Sequence, residues 1–304
     1  MYDDIHRWVW EWITQNASAF PGREEHTMNV MSDDSIVVMG GYGGISTLYN
    51  DVWHSVNNGV TWHQHTTGSP WWSVRANHVG VLTHAGVLLL IGGGYQGSST
   101  YYNDVYYSTD YGQTWGLKTA AGEFSGRLSH AGCVLADNTI IISGGYNYSN
   151  WMNDVWKSVN GGITWTQQTA SAEWSDRAWH SMITLPDDSI LLTGGRYSST
   201  AYNDVWRSVD EGQSWTELDA SADWGGRYGH SMVILSDDSI ILTGGSDAYD
   251  IWRSIDNGTS WSNVVSDPYG AGHTRRAIVN SDDDIIVSGG WLNRSNVMVH
   301  HKIP

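Results

Sequence analysis

The chain has 304 residues and a formal net charge of −17, with Trp 19 and Tyr 16 against Phe 2. That charge argues against nucleic acid, whose binding rests on neutralising phosphates with Lys and Arg, and against anionic membrane surfaces. Gly 35 with Pro 5 points to many tight turns, and the single cysteine, Cys133, excludes an internal disulfide.

The opening "MYDDIHRWVWEW" lacks a basic leader followed by an apolar run, so no signal peptide is expected. No run of about 18 apolar residues follows that could span a membrane, so no membrane insertion is expected. "RWVWEWI" (Arg7–Ile13) has the alternation of a lone strand. From there the chain repeats itself. A Gly-Gly pair closing an apolar run begins at Gly40, Gly92, Gly144, Gly194, Gly244 and Gly289, and "SVNNGVTW" (Ser55–Trp62) returns at Ser108, Ser158, Ser208 and Ser254.

The fifth repeat shows the unit most plainly. "HSMVIL" (His230–Leu235) is a short apolar run ended by the polar turn "SDDS". "IILTGG" (Ile240–Gly245) is a second run stopped by glycines. "DIWRSI" (Asp250–Ile255) alternates, and a Ser/Asp/Gly hairpin leads into "SWSNVV". Short β-rich runs bounded by turn residues, with no helical periodicity, predict antiparallel strands. Self-similarity near 50 residues predicts a radial array. The expected fold is an all-β, six-bladed propeller in a single domain over residues 1–304, with four antiparallel strands per blade. Its blades fall at about 18–66, 67–119, 120–169, 170–219, 220–265, and 266–304 plus 1–17. "SNVMVHHK" (Ser295–Lys302) occupies a third-strand place before the chain stops, so the N-terminal strand should close the last blade.

"NDVW" (Asn50–Trp53, Asn153–Trp156, Asn203–Trp206), the double glycine and the fourth-strand tryptophan resemble the kelch repeat. The S-x-D-x-G-x-T/S-W hairpin is similar to the Asp-box (BNR repeat) of sialidases, and that likeness implies an extracellular or cell-surface setting. In such a hairpin Asn57, Asp110, Asn160, Asp210 and Asp256 would accept backbone N–H bonds as structural fasteners. Asn in two copies cannot act as a carboxylate base, which favours that reading.

Chemistry is therefore expected on the opposite, upper face, where the longest loops gather. R-x-x-H leads into five innermost strands, at Arg23/His26, Arg75/His78, Arg127/His130, Arg177/His180 and Arg227/His230. One reading is an anion-binding funnel of arginines at the channel mouth. The other pairs each Arg with the Asp of an adjacent "NDV", while each His satisfies a buried backbone group. The sixth blade breaks the pattern with His273, Arg275 and Arg276, the first adds Glu24 and Glu25, and Arg196 follows its Gly-Gly directly. Trp72, Trp174, Trp179, Trp224 and Tyr228, with Trp71, Tyr148, Trp151 and Trp291, supply aromatic platforms suited to sugar rings or protein surfaces, or else some of them seal the junctions between blades.

No unique acid–base pair stands out among Glu24, Glu25, Glu123, Glu173, Asp176 and Asp223. The expected function is non-catalytic binding of a glycan or protein partner, with no metal and no cofactor. Cys133 is expected to be a small buried hydrophobe rather than part of the Tyr–Cys copper site of the kelch protein galactose oxidase. The alternatives are a sugar-acid enzyme, sialidase-like or mutarotase-like, with Glu24 or Glu25 as acid–base, and a structural subunit of a larger assembly.

Overall fold

The structure is a computed structural model, and it describes residues 12–16, 20–44, 47–65, 72–95, 97, 99–148, 150–246, 248, 250–266, 276–288 and 297–300. The protein is an all-β propeller of four-stranded antiparallel sheets. Four sheets are each built from consecutive strands, the first comprising Thr27–Val30, Ile36–Tyr42, Leu48–Ser55 and His63–Gln64. Another, fourth along the chain, comprises Ser181–Thr184, Ile190–Thr193, Val205–Ser208 and Thr216–Asp219, and carries a two-stranded hairpin, Arg196–Tyr197 with Thr200–Ala201, between its second and third strands. A further four-stranded sheet is composite. Arg276–Val279, Ile285–Ser288 and Val297–His300 are joined on the outer edge by Trp12–Asn16, which pairs antiparallel with Val297–His300. The first strands of these sheets neighbour one another in sequence order, and Arg276–Val279 lies beside Thr27–Val30, which closes the circle.

The local pattern follows from packing on both faces. Second strands such as Ile140–Tyr146 and Ile190–Thr193 are buried throughout, because each sheet is covered by a neighbour on either side. Their apolar residues interlock with the adjoining sheet: Leu192 and Met182 pack with Ile141, Val155 and Cys133. The third strands keep a buried Val or Ile at Val52, Val105, Val155, Val205 and Ile251.

The double glycine acts differently from the expected stop in the first three sheets. There the second strand bulges at the glycines and runs on to Tyr42, Tyr95 and Tyr146, whereas in the fifth it ends at Gly244. The bulge admits a neighbour. Gly41 has φ +108°, and a Cβ there would meet the His26 Cβ and the Glu24 carbonyl oxygen at 2.8 Å. Its N–H reaches across to donate to the Arg75 carbonyl of the next sheet at 2.9 Å. Gly93, Gly145 and Gly195 repeat this bond to Arg127, Arg177 and Arg227.

On the lower face a second set of cross-sheet bonds joins the turns between first and second strands. The turns after the first strands place Asp34, Asn138, Asp188 and Asp283 in the left-handed region. Their side chains accept backbone N–H bonds from the next turn in the circle: Asn138 from Ala85, Asp188 from Ala136, Asp283 from Ser236 and Asp34 from Ser281. Asp187 and Asp237 are further engaged by Arg207 and Arg253.

Candidate functional site

The five repeated arginines are consumed by the fold. Arg23, Arg75, Arg127 and Arg177 are completely buried and Arg227 nearly so. Each makes a two-pronged ion pair with the third-strand aspartate of its own sheet, Asp51, Asp104, Asp154, Asp204 or Asp250. The distances are 2.5–2.7 Å from Nη1 and 2.7–3.1 Å from Nη2. Nη1 also donates to the carbonyl of the first glycine of the pair, at 2.8–3.2 Å. This corrects the expectation of an arginine funnel. The Asp of "NDV" is the counter-ion, and it also accepts the indole N–H of Trp53, Trp156, Trp206 or Trp252.

Trp72, Trp174 and Trp224 are also corrected as platforms. They are 0–3% exposed. Each lies under the guanidinium of its arginine and edge-on to the hairpin tryptophan Trp115, Trp215 or Trp261. Glu123 and Glu173 are drawn off the rim as well, accepting the backbone N–H of Trp165 and Trp215.

The histidines bond to side chains rather than to the expected backbone groups. His26 bonds to the Ser288 hydroxyl (2.7 Å), His78 to Thr27 (3.0 Å), His180 to Ser143 (2.9 Å) and His230 to Thr193 (2.8 Å). Where Ser143 and Thr193 stand in their sheets, the second sheet has Ile91, and His130 has no partner on either nitrogen among the described residues. Burial and the adjacent guanidinium hold all five imidazoles below the ordinary histidine range, that of His230 at about 3. They are neutral at physiological pH. Among the described residues, no group of three or more His, Cys, Asp or Glu could hold a metal ion. Cys133 is buried and its thiol pushed up to about 12 by desolvation, which leaves it unreactive.

What lines the mouth is the third residue of R-x-x-H. Glu25, Asn77, Ser129 and Trp179 take φ of 55–57° and Gly229 takes 69°. Their backbones form a hydrogen-bonded arc: Asn77 N–H donates to the Glu25 carbonyl, Ser129 to Asn77, Trp179 to Ser129 and Gly229 to Trp179, at 2.8–3.0 Å. The left-handed turn aims five different residues at one opening. Only the preference of Asn and Gly for that conformation hints at it in the sequence.

Around this arc sits the densest ring cluster of the upper face. Tyr146 stacks on Trp151 (5.2 Å) and lies 4.9 Å from Trp179, while Trp151 meets Tyr197 at 5.4 Å. The Arg196 guanidinium carbon is 4.5 Å from the ring centres of both Trp179 and Tyr228. No aspartate or glutamate lies within ion-pair distance of it among the described residues. Trp179 lines the opening, and Tyr228 meets it across Arg196. Glu24, on the rim beside Tyr42 and Tyr95, is raised to about 7 by burial and by the neighbouring Glu25. His273 and Arg275 lie outside the described residues, as do Trp71 and Trp291.

The lower hairpins serve packing. In each, the Ser hydroxyl oxygen accepts the Gly N–H at 2.9 Å. Oδ1 of Asn57, Asp110, Asn160, Asp210 or Asp256 accepts the N–H of the Thr or Ser four residues on. Trp115, Trp165 and Trp215 fill the space between adjacent sheets.

A family model described as the KLHDC2/KLHL20/DRC7 Kelch-repeats domain matches residues 58–245, more than half of the chain. No curated protein matches it. Among the described residues, no helix is long and apolar enough to cross a membrane.

Proposed function

Because the chain belongs to the kelch-repeat family of the KLHDC2/KLHL20/DRC7 type, we propose that it is a protein-binding propeller that grips its partner with the upper face over the third and fourth blades. Kelch propeller domains typically mediate protein–protein interaction. In this reading the ring has six blades and is closed by Trp12–Asn16, and the lower hairpins are fasteners of the Asp-box type. The observation that carries it is a contrast within one surface. Every repeated arginine is buried on an aspartate, whereas Arg196, Trp151, Trp179, Tyr197 and Tyr228 form a half-buried patch of aromatic rings and one guanidinium with no acid in ion-pair distance among the described residues. Tyr, Trp and Arg are the residue types that dominate binding energy at protein interfaces.

A sugar-acid enzyme would need a free arginine cluster, and that cluster is engaged in ion pairs. A glycan-binding reading keeps only the exposed rings, such as Tyr148.

The test is affinity capture followed by titration of the captured protein against wild type, a W151A/Y197A double variant and a lower-face K118A control. Loss of at least tenfold in affinity in the double variant, with K118A unchanged, is expected. Equal affinity in all three would reject the upper face, and glycan-array binding without any protein partner would replace the reading.

A further inference from the structure

Below the mouth, the first strands enclose a cavity of about 190 Å³. Thr27, Asn77, Ser129, Ser181 and Ser231 face it, together with His78, His130 and His180. At one level of this wall the sheets contribute Thr27, Val79, Ala131, Ser181 and Ser231, as the pairing of each with the residue before its double glycine shows. The sixth sheet puts Arg276 there, paired with Ser288. A uniformly small, uncharged ring is broken by a single cation.

Arg276 is poorly compensated. Its Nε donates to the His26 carbonyl at 3.0 Å. No carboxylate comes within 4.0 Å of it among the described residues. The neighbouring imidazoles are neutral, and Glu25, the acid that acts on Arg276 at longer range, is itself driven toward its neutral form by burial. Arg196 competes for that same carboxylate. Arg276 lines the cavity together with His78, His130 and His180, which belong to other sheets, so its side chain borders the channel. Arg276 is partly buried and lines the cavity, and its two Nη groups are strong donors with no carboxylate in ion-pair distance among the described residues. Ser181, which also lines the cavity, accepts the Met232 N–H.

We propose that the central channel binds a small monovalent anion, of the size of chloride or formate, on the Nη groups of Arg276. The cavity has room for about six waters at roughly 30 Å³ each, so such an ion fits with part of its hydration shell. One negative charge balances Arg276. Trp179 borders both the cavity and the aromatic patch, but Trp151 and Tyr197 do not line the cavity, so the W151A/Y197A variant should retain the site.

The test measures thermal melting of wild type and Arg276→Gln in sodium chloride, bromide, formate and gluconate at matched ionic strength, with bromide-soaked crystals of the wild type. A saturable rise in Tm with the three small anions, missing with gluconate and lost in Arg276→Gln, is expected, with an anomalous peak within hydrogen-bond distance of Arg276. Coinciding chloride and gluconate curves in wild type, or a full chloride response in Arg276→Gln, would overturn it. Should the variant fail to fold, the crystals decide: bromide at Arg276 supports the site, and a channel without bromide refutes it.

Discussion

At the scale of single residues, one side chain type takes opposite roles according to what surrounds it. Arg127 is wholly buried, paired at 2.7 and 2.9 Å with Asp154 and capped by the Gly144 carbonyl. Arg196 lies between two rings with no acid in ion-pair contact. Removing a buried partner leaves the other charge uncompensated, at a cost of about 3–5 kcal/mol. Arg127→Met should therefore lower unfolding free energy by about that amount in a denaturant titration, while Arg196→Met should leave stability nearly unchanged and weaken partner binding. An Arg127→Met loss below about 1 kcal/mol, the range of a surface pair, would show that the clamp is not structural.

At the scale of the element, the lower hairpin tolerates change at its acid and resists it at its glycine. A hydroxyl can donate or accept. Asp256 accepts the Ser260 hydroxyl proton on Oδ2, whereas the Asn57 amide donates to the Thr61 oxygen at 2.9 Å, and both hairpins keep the same backbone bond to Oδ1. Gly212 has no such latitude. Its φ is +84°, and a Cβ would approach Val155 of the neighbouring sheet to 2.7 Å. Asp256→Asn should thus shift stability by no more than about 0.5 kcal/mol, and Gly212→Ala should cost about 1–3 kcal/mol through overpacking, with backbone strain in addition. Equal melting temperatures for the two variants would sink this account of the hairpin as a packing device.

At the scale of the whole molecule, the five buried imidazoles make the ring sensitive to acid. Their folded pKa values lie below the unfolded value near 6.5. The unfolded chain therefore binds more protons as pH falls below 6.5, and stability present above that value is lost on the way down toward about 3, the value for His230. Glu24, raised to about 7, Glu25 and Asp176 act in the opposite sense, but three carboxyls oppose five imidazoles. Unfolding midpoints should fall between pH 7 and pH 4.5, and a His180→Gln/His230→Gln double variant should show a shallower slope. A flat stability profile over that interval in wild type would contradict it.

The repeat was legible in the sequence because radial packing imposes the same demands on each copy: apolar second strands, glycines where a neighbouring backbone must approach, and a tryptophan to fill the wedge between sheets. The pairing of Arg with the "NDV" aspartate stood as one of two readings, since spacing alone cannot say whether an arginine faces an aspartate or a solvent-filled mouth. Only the folded ring decided that. The left-handed turn within R-x-x-H sends Glu25, Asn77, Ser129 and Trp179 to the opening while the repeated Arg and His turn inward. Arg276 became conspicuous only when strand register aligned it with Thr27, Ser181 and Ser231 across the channel. Periodicity records what every blade shares, and the place of Arg276 in the channel depends on a juxtaposition of residues distant in the chain.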